Sequence, residues 1–202
     1  MTARRIPPTT TLADLLGPEQ VLDPAIHSLW TPVPRVSGPA YTVRCPPGDN
    51  LMLHAAIHRA PHGSVIVADA GADTRWALAG GNVCAVARRR GIAGFVLDGV
   101  VRDIAEITAM GFPVFARGVV PIPGAKKAVE PLDTPVDCGG VRVRPGDLVV
   151  ADEDGIVTVP AQRTDRTLAA AHAKLAAEAA EGLDQWEAAH RARIEQLLTG
   201  RQ

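Results

Sequence analysis

The sequence predicts an α/β fold in which helices flank a layered, mostly parallel sheet. The first observation is an alternation of strand and helix patterns, with midpoints at Val65, Ala85, Phe95, Ile104 and Val114, which is typical of parallel strands joined by crossover helices. The second is composition, since 47% of the residues are hydrophobic but only 3% are aromatic. The third is length: 202 residues are enough for a single domain with a sizeable core, residues 1–202.

The N-terminal part of the chain predicts a short helix followed by a proline-rich arm. Thr9 to Thr11 precede the apolar stretch Leu12 to Leu16, and a Gly-Pro pair ends the helix. We expect residues 1–35 to form this helix and an arm that lies over the surface of the same domain. Tyr41 to Arg44 alternates as a strand, and the turn sequence PPGDN leads into a helix from Leu51 to Arg59.

The centre of the chain carries the strongest pattern. Ser64 to Asp69 predicts a buried strand, and residues 70–81 predict a loop that ends where a helix begins. Gly94 to Leu97 predicts a second strand, which we expect to end at the turn signal Asp98-Gly99. A second helix follows residue 103.

Several polar groups fall at the ends of these elements. A helix opened by Gly80, Gly81 and Asn82 would expose backbone N–H groups that favour a bound anion. Arg102 offers a fixed fork to a carboxylate, and Asp103 offers an oxygen ligand to a divalent cation. The alternative is structural, because an aspartate stabilises a helix N-terminus while a neighbouring arginine is simply solvated.

Histidine and cysteine offer weaker candidates. His54 and His58 are four residues apart on a predicted helix, but without a third ligand an amphipathic surface edge is favoured over a metal site. Cys84 lies in the first turn of a helix, where a thiolate would be favoured. No histidine is near it in sequence, so a buried helix residue is the better interpretation. Cys45, Cys84 and Cys138 form no CxxC pattern, so neither a disulfide framework nor a zinc site is expected.

The C-terminal part predicts short strands and a long helix. The segment DEDG, residues 152–155, predicts a hairpin turn rather than a cation site, because it lacks the further spaced oxygen ligands of a calcium loop. Residues 162–198 predict one helix rich in alanine and charge, which Gly182 could bend or break. A helix of this length is expected to reach a neighbouring copy of the chain. The predicted strands are Val141 to Val143, Asp147 to Ala151 and Gly155 to Val159.

Charge and hydropathy exclude several classes of partner. The net charge is −1, from 21 basic and 22 acidic residues, so no general attraction to nucleic acid or to an anionic membrane is expected. No apolar stretch reaches the length of a membrane span. The N-terminal segment has no apolar region after its arginines, so we do not expect it to be a secretory signal. We expect a cytoplasmic protein with neither nucleic acid nor membrane as a partner.

One spacing is characteristic of a known family. The pattern G-x20-R-D-x2-E, formed here by Gly81, Arg102, Asp103 and Glu106, resembles the signature of the RraA-like family. That family includes the regulator of ribonuclease E activity A and the class II 4-hydroxy-4-methyl-2-oxoglutarate aldolases. The segments GPAYTVRCPPGDNLMLH and GVRVRPGDLVVADEDGIVTVP match as well, and the resemblance extends over residues 10–181.

The resemblance implies a fold, an assembly and a set of site residues. The fold would resemble the swivelling phosphohistidine domain, and the chain would form a homotrimer or hexamer with active sites between adjacent subunits. Arg102 would be the catalytic residue that binds the substrate carboxylate and oxo group, Asp103 would ligate Mg²⁺ or Mn²⁺, and Glu106 would lie in a supporting position. Glu178 of the neighbouring subunit would hold a metal-bound water. The substrate carboxylate would be received by the backbone amides of Gly80, Gly81, Asn82 and Val83.

The resemblance also implies a reaction, the cleavage of a pyruvyl-type 2-oxo acid through an enolate. Two versions stay open: oxaloacetate decarboxylation and retro-aldol cleavage of 4-hydroxy-4-methyl-2-oxoglutarate. The aldolase members carry an acid at the position of Gly81, so the glycine favours decarboxylation unless it is present for a positive φ. No Schiff-base lysine is required, and Lys126 and Lys127 are expected to be solvated. A non-catalytic regulator that binds ribonuclease E remains an alternative. A methyltransferase is disfavoured because no G-x-G-x-x-G nucleotide loop is present.

Overall fold

The protein is described by a computed structural model over residues 6–200, whose centre is a mixed sheet of seven strands. The first five residues of the predicted N-terminal arm lie outside the described residues. The order across the sheet is β1-β5-β4-β3-β2-β8-β9, and β6 and β7 form a separate hairpin. The strands are β1 (His27–Ser28), β2 (Val36–Arg44), β3 (Val65–Ala79), β4 (Gly94–Val101), β5 (Val114–Val119), β6 (Val136–Cys138), β7 (Val141–Val143), β8 (Leu148–Asp152) and β9 (Gly155–Val159).

Helices connect the four central strands in the predicted way. The pairs β2–β3, β3–β4 and β4–β5 are parallel, whereas β1, β8 and β9 join the sheet antiparallel. Each parallel pair is linked by one helix, so the prediction of an α/β fold with a mostly parallel centre and flanking helices is confirmed. The helices are α1 (Thr9–Leu16), α2 (Leu51–Arg59), α3 (Gly81–Arg89), α4 (Ile104–Met110), α5 (Thr164–Ala180) and α6 (Leu183–Thr199).

Apolar side chains pack on both faces of the sheet. One core lies between the sheet and helices α2 to α4, where the rings of Phe95 and Phe112 meet edge to face with centroids 4.9 Å apart. A second core lies under the β6–β7 hairpin and contains Phe115. A third packs α1 and α5 against β8 and β9. Each face of a parallel sheet is thus covered, as the near-continuous apolar strands require.

Besides β2, which begins at Val36 rather than at the predicted Tyr41, two predicted strand boundaries are wrong. The predicted loop 70–81 is strand as far as Ala79, because β3 continues in bulged pairing with β4 through Asp73, Ala77 and Ala79. The predicted turn at Asp98-Gly99 is buried strand, because β4 is paired on both sides up to Val101. Gly99 allows close packing there, since a Cβ would lie 2.9 Å from Leu78 Cδ1. Bulges interrupt the two-residue alternation, so the sequence pattern does not show these extensions.

The C-terminal segment forms two helices instead of one. Glu181 and Gly182 adopt extended backbone conformations between α5 and α6, so Gly182 breaks the predicted helix. Helix α5 packs on α1, with an ion pair between Lys174 and Asp14. Helix α6 has no buried residue. None of the helices between residues 6 and 200 is long and apolar enough to cross a lipid bilayer.

The three C-terminal strands and the predicted hairpin turn are confirmed. Asp152 pairs with Gly155 across the turn between β8 and β9. The Asp152 carboxylate is buried and accepts hydrogen bonds from the Thr9 backbone N–H at 2.9 Å and from the Thr9 hydroxyl at 2.5 Å. This aspartate therefore satisfies a free N–H at the start of α1.

Candidate active site

Asp103 joins the starts of two helices. It follows β4 as the N-cap of α4 and has left-handed backbone angles, φ 59° and ψ 40°, a conformation that aspartate tolerates better than most residues. Its Oδ2 atom accepts a hydrogen bond from the Gly81 N–H of α3 at 3.0 Å. The side chain is 37% exposed. The carboxylate is therefore held in place and remains accessible to a ligand.

Arg102 lies beside this carboxylate at the end of β4. Its backbone N–H donates to the Ala79 carbonyl at 2.9 Å, which fixes the residue to the neighbouring strand. Its Nε lies 3.5 Å from Asp103 Oδ2, and the side chain is 40% exposed. An exposed pair of this kind contributes only about 0–1 kcal/mol to stability. The pair therefore contributes little to the stability of the fold.

The two residues at the start of α3 are glycines because neighbouring side chains lie very close to their backbone atoms. A Cβ at Gly80 would overlap Asp103 Oδ2 and lie 3.0 Å from Arg102 Nε, and a Cβ at Gly81 would overlap the Glu106 carboxylate. Gly80 has φ −144°, and Gly81 is not among the residues with positive φ. The suggestion that Gly81 serves a positive φ is therefore wrong. Both glycines instead make room for the acidic and basic side chains of the β4–α4 connection.

These residues line one cleft. Of the predicted site, Gly80, Asn82, Val83, Arg102 and Asp103 are brought together in it. The first hydrogen bond within α3 runs from the Cys84 N–H to the Gly80 carbonyl at 3.1 Å, so the N–H groups of Asn82 and Val83 have no partner within the helix. The cleft therefore combines helix N-terminal donors, a guanidinium and a carboxylate.

Gly81 and Glu106 do not line the cleft. The Gly81 N–H donates to Asp103 Oδ2, and its part in receiving a substrate carboxylate remains a prediction. Glu106 lies over Gly81, on the first turn of α4, where a carboxylate is favoured by the helix dipole.

Sequence reasoning missed one side of the cleft, which is formed by Asn50, His54 and Lys126. Lys126 is exposed, as predicted, but it lies in the cleft rather than in bulk solvent. Burial, followed by the nearby charges of Lys126 and His58, lowers the pKa of His54 to about 4. The polar Asp49-Asn50 pair before α2 was the sequence signal that could have indicated this side of the cleft. The loop with which it forms hydrogen bonds, however, is more than 70 residues away in the sequence.

Cys84 is a core residue. Its side chain is fully buried, and burial, followed by the negative charge of Asp103, raises the pKa of its thiol to about 12. A thiolate nucleophile requires a lowered pKa. The prediction of a buried helix residue is therefore confirmed.

A family model described as RraA-like, Aldolase/RraA, matches residues 9–158. A protein of Halalkalibacterium halodurans with the provisional name 4-hydroxy-4-methyl-2-oxoglutarate aldolase is 40% identical over 176 residues, which are 87% of this chain and 83% of that protein. The chain belongs to the RraA-like family. The resemblance inferred from the Gly81 to Glu106 spacing is confirmed.

Solved structures of similar proteins carry different names. RraAS2 of Streptomyces coelicolor, described as an unusual member of the RNase ES inhibitor RraA protein family, superposes with a TM-score of 0.74 at 29% identity, covering 94% of each chain. A structure from Geobacillus kaustophilus named S-adenosylmethionine:2-dimethylmenaquinone methyltransferase gives 0.69 at 36% identity and covers 75% of this chain and 94% of that one. The RraA-like fold is therefore shared by proteins with unlike functional names.

Glu178, the acid that the RraA-like resemblance assigns to a neighbouring subunit, does not line the cleft of its own chain. It lies near the end of α5, where its carboxylate is 3.6 Å from Lys174 Nζ. Its side chain is 54% exposed and is therefore accessible to a second copy. Its assignment to the site remains a prediction.

The donor set of the RraA-like cleft can be tested against a divalent metal. Residues 6–200 contain no group of three or more His, Cys, Asp or Glu side chains arranged to hold a metal ion. Asp103 uses Oδ2 to accept the Gly81 N–H, and no described residue donates to its Oδ1. One carboxylate is enough for Mg²⁺, which commonly binds through one or two carboxylates and keeps waters or substrate oxygens as its other ligands. The residues present therefore fit a magnesium-type ion.

Proposed function

We propose that this protein is a divalent-metal-dependent carbon–carbon lyase that acts on a pyruvyl-type 2-oxo acid. The observation that carries the proposal is the Arg102–Asp103 pair, held at the start of α4 by the Gly81 N–H and accommodated by the missing Cβ of Gly80. The name of the Halalkalibacterium relative, an aldolase, supports the same class of chemistry.

Four residues of the cleft would take part in this reaction. The free N–H groups of Asn82 and Val83 receive the substrate carboxylate at the helix N-terminus. Arg102 donates to the 2-oxo oxygen and stabilises the negative charge that develops there as the carbon–carbon bond breaks. Asp103 would hold Mg²⁺ or Mn²⁺, which as a Lewis acid would further polarise the oxo group. These interactions strengthen as charge develops, so they accelerate bond cleavage.

The two candidate substrates differ in what they need from the protein. Decarboxylation of oxaloacetate requires only the stabilised enolate, because CO₂ leaves without removal of a hydroxyl proton. Retro-aldol cleavage of 4-hydroxy-4-methyl-2-oxoglutarate also requires a base for the C4 hydroxyl. Gly81 supplies no such base, which favours decarboxylation. The names of several relatives favour the aldol substrate.

Substitution of Asp103 tests the proposal. Asp103→Asn keeps a residue that tolerates the left-handed backbone and an oxygen that can accept the Gly81 N–H, but removes the charge that would hold the cation. We expect loss of oxaloacetate turnover in this variant, and in the wild type after EDTA treatment. Asp137→Ala is the matched control, because Asp137 is an exposed aspartate paired with Arg142 outside the cleft. Full activity of Asp103→Asn would contradict the proposal.

A second candidate function is regulation of ribonuclease E, and the Streptomyces coelicolor structure, named as a member of the RNase ES inhibitor RraA protein family, supports a regulator of this kind. This function needs no metal and no turnover. Capture of ribonuclease E by the wild-type protein, retained in Asp103→Asn and accompanied by no turnover of either 2-oxo acid, would favour the regulator. Metal-dependent turnover without capture would favour the enzyme.

A further inference from the structure

The C-terminal ends of α2 and α3 carry a group of basic side chains that the proposed reaction does not use. Helix α2 ends at Arg59 and α3 ends at Arg89. The cleft lies at the other end of α3, where Asn82 lines it, so these side chains are separate from the candidate active site. All of them are exposed, and we call them the α2–α3 basic patch: His58, Arg59, His62, Arg88, Arg89 and Arg90.

Hydrogen bonds hold the two helix ends together. Arg90 Nε donates to the Ile57 carbonyl at 2.7 Å, and Arg90 Nη2 donates to the His58 carbonyl at 2.9 Å. Beyond the helices, the Gly63 N–H donates to the Gly91 carbonyl at 2.7 Å. The basic side chains of the two helices therefore belong to one continuous surface with a defined geometry.

Acidic residues are absent from the segments that form the patch. The sequence has no Asp or Glu in residues 50–68 or in residues 74–97. Within residues 6–200, neither Arg88 nor Arg89 takes part in a salt bridge. The charges of these two guanidinium groups are therefore not paired with a carboxylate of the described chain.

Asp133 weakens the positive field at one edge of the patch. Burial, followed by the charge of Asp133, raises the pKa of Tyr41, whereas the charge of Arg59 lowers it. Asp133 and Arg59 therefore lie in the same neighbourhood. The centre of the positive field is at Arg88 and Arg89.

A structural role accounts for part of this basic charge. Arginines in the last turn of a helix interact favourably with its dipole, and Arg90 binds the last carbonyls of α2. Successive helix positions are turned by about 100°, so Arg88 and Arg89 point in different directions. Their side chains are exposed and are therefore available to a ligand that spans the surface.

The patch has no apolar anchor for a protein partner. The large hydrophobic side chains that are exposed among the described residues all lie outside residues 50–68 and 84–93. Protein interfaces depend on a few buried aromatic or apolar anchors, whereas nucleic-acid backbones are bound through contacts of basic side chains with phosphates. The fork of an arginine matches two phosphate oxygens. The composition of the patch therefore fits a chain of phosphates.

We infer that the α2–α3 basic patch binds the phosphate backbone of a nucleic-acid strand. The net charge of −1 is a sum over the whole chain and does not describe the local field of this patch. The patch and the cleft are at opposite ends of α3, so this binding is independent of the proposed lyase reaction.

Fluorescence anisotropy with a labelled oligouridylate of about 15 nucleotides, near the upper site size of common single-strand-binding folds, tests the inference. Arg88→Gln/Arg89→Gln removes two charges and keeps good helix formers. We expect this variant to bind at least about tenfold more weakly at low salt. The slope of log K against log salt should fall in magnitude by about 1.4, since each phosphate contact with a single strand contributes about 0.7.

Two further variants separate local charge from other effects. Arg191→Gln/Arg193→Gln is the matched control, because it removes the same net charge from exposed positions on α6, where acidic residues flank the arginines. It should bind the oligouridylate within about twofold of wild type. Arg88→Lys/Arg89→Lys keeps both charges and should retain most of the affinity. Urea unfolding of each variant checks that the fold is kept.

A loss of affinity in Arg88→Gln/Arg89→Gln alone, with retention in the lysine variant, supports the inference. Equal losses in the two glutamine variants would show an effect of net charge and overturn it. Failure of the wild type to bind the oligouridylate at low salt would overturn it as well. Binding of an oligoglutamate of the same length at least as tightly as the oligouridylate would identify an acidic peptide as the partner instead. None of these outcomes bears on turnover of a 2-oxo acid, so the proposed function is tested separately.

Discussion

At the scale of single residues, two absent Cβ atoms bring the charged groups of the cleft together. Gly80 leaves space for Asp103 and Arg102, and Gly81 leaves space for the Glu106 carboxylate. The Gly81 N–H then reaches Asp103 Oδ2. A carboxylate, a guanidinium and a helix N-terminus can approach this closely only where the backbone carries no side chain.

The Glu106 position changes what an acid at position 81 can do. Gly81→Asp alone would displace the Glu106 carboxylate and place like charges side by side, so we expect both activities to fall. In a Gly81→Asp/Glu106→Ala variant that space is free. We then expect retro-aldol cleavage of 4-hydroxy-4-methyl-2-oxoglutarate to rise relative to oxaloacetate decarboxylation, since a general base contributes on the order of 10²–10⁴-fold.

The comparison for this variant is Glu106→Ala alone, and the measurement is the ratio of the two kcat/KM values. An unchanged ratio in the double variant would show that an acid at position 81 does not limit the aldol reaction. Wild-type aldol cleavage as fast as decarboxylation would show that the preference for decarboxylation is wrong.

The lowered pKa of His54 predicts that the stability of the protein depends on pH. Its pKa is lowered from 6.5 to about 4 in the folded protein, so between these values the unfolded chain binds more protons. Stability should therefore rise with pH across this window and be lost as the pH falls through it. His54→Gln should flatten that rise in urea unfolding series at pH 4 to 6.5. His62→Gln, at an exposed position, is the control, and an unchanged slope in His54→Gln would contradict the assignment.

At the scale of secondary-structure elements, hydrogen bonds to side chains that are distant in the sequence help to position the elements. Asp152 on the β8–β9 hairpin receives the N–H and hydroxyl of Thr9 at the start of α1. Asp49 binds the loop that carries Lys126 to the start of α2. In both cases a carboxylate from a distant part of the chain helps to fix the position of a helix start or a loop.

The Thr9–Asp152 contact predicts a measurable stability loss. Thr9→Val keeps the size and branching of the side chain but removes the hydroxyl that Asp152 accepts in a buried position. We expect the free energy of unfolding to fall by about 1–3 kcal/mol, measured by urea denaturation. Thr10→Val is the matched control, because Thr10 is exposed on the same helix. Equal effects of the two substitutions would contradict the argument.

At the scale of the whole molecule, the C-terminal helix is incompletely covered. In α6 none of the residues is buried, and Leu183, Trp186 and Leu198 are at least half exposed. A 17-residue helix without packing is marginally stable in water. This exposed face, together with the separation of Glu178 from the cleft of its own chain, supports the proposed homotrimer or hexamer with shared sites.

Complementation between variants tests the shared site. Arg102→Ala and Glu178→Ala should each be inactive alone, because every site would lack one of the two groups. When the two variants are mixed under conditions that exchange subunits, some sites recover both groups, and part of the activity should return. Each variant mixed with itself is the control. Sedimentation equilibrium should show trimers or hexamers, and a stable, fully active monomer would contradict both assembly and shared site.

The sequence by itself determined the local part of this protein. Alternating strand and helix patterns predicted the parallel centre of the sheet, and the Gly81 to Glu106 spacing predicted the family and the Arg102–Asp103 pair. These features depend on residues close in the chain, where periodicity and helix ends act directly. The tertiary structure alone decided the extension of β3 to Ala79, because bulged pairing with β4 is a contact between strands.

The same distinction holds for the site. The sequence could not show that Gly81 faces Glu106, since that requires knowing how α3 packs beside α4. It also could not place Lys126 in the cleft, because the loop that carries Lys126 is held there by hydrogen bonds to distant residues such as Asp49, 78 residues away from Lys127. Contacts between distant segments follow from packing the whole chain into one core, and no local pattern encodes them.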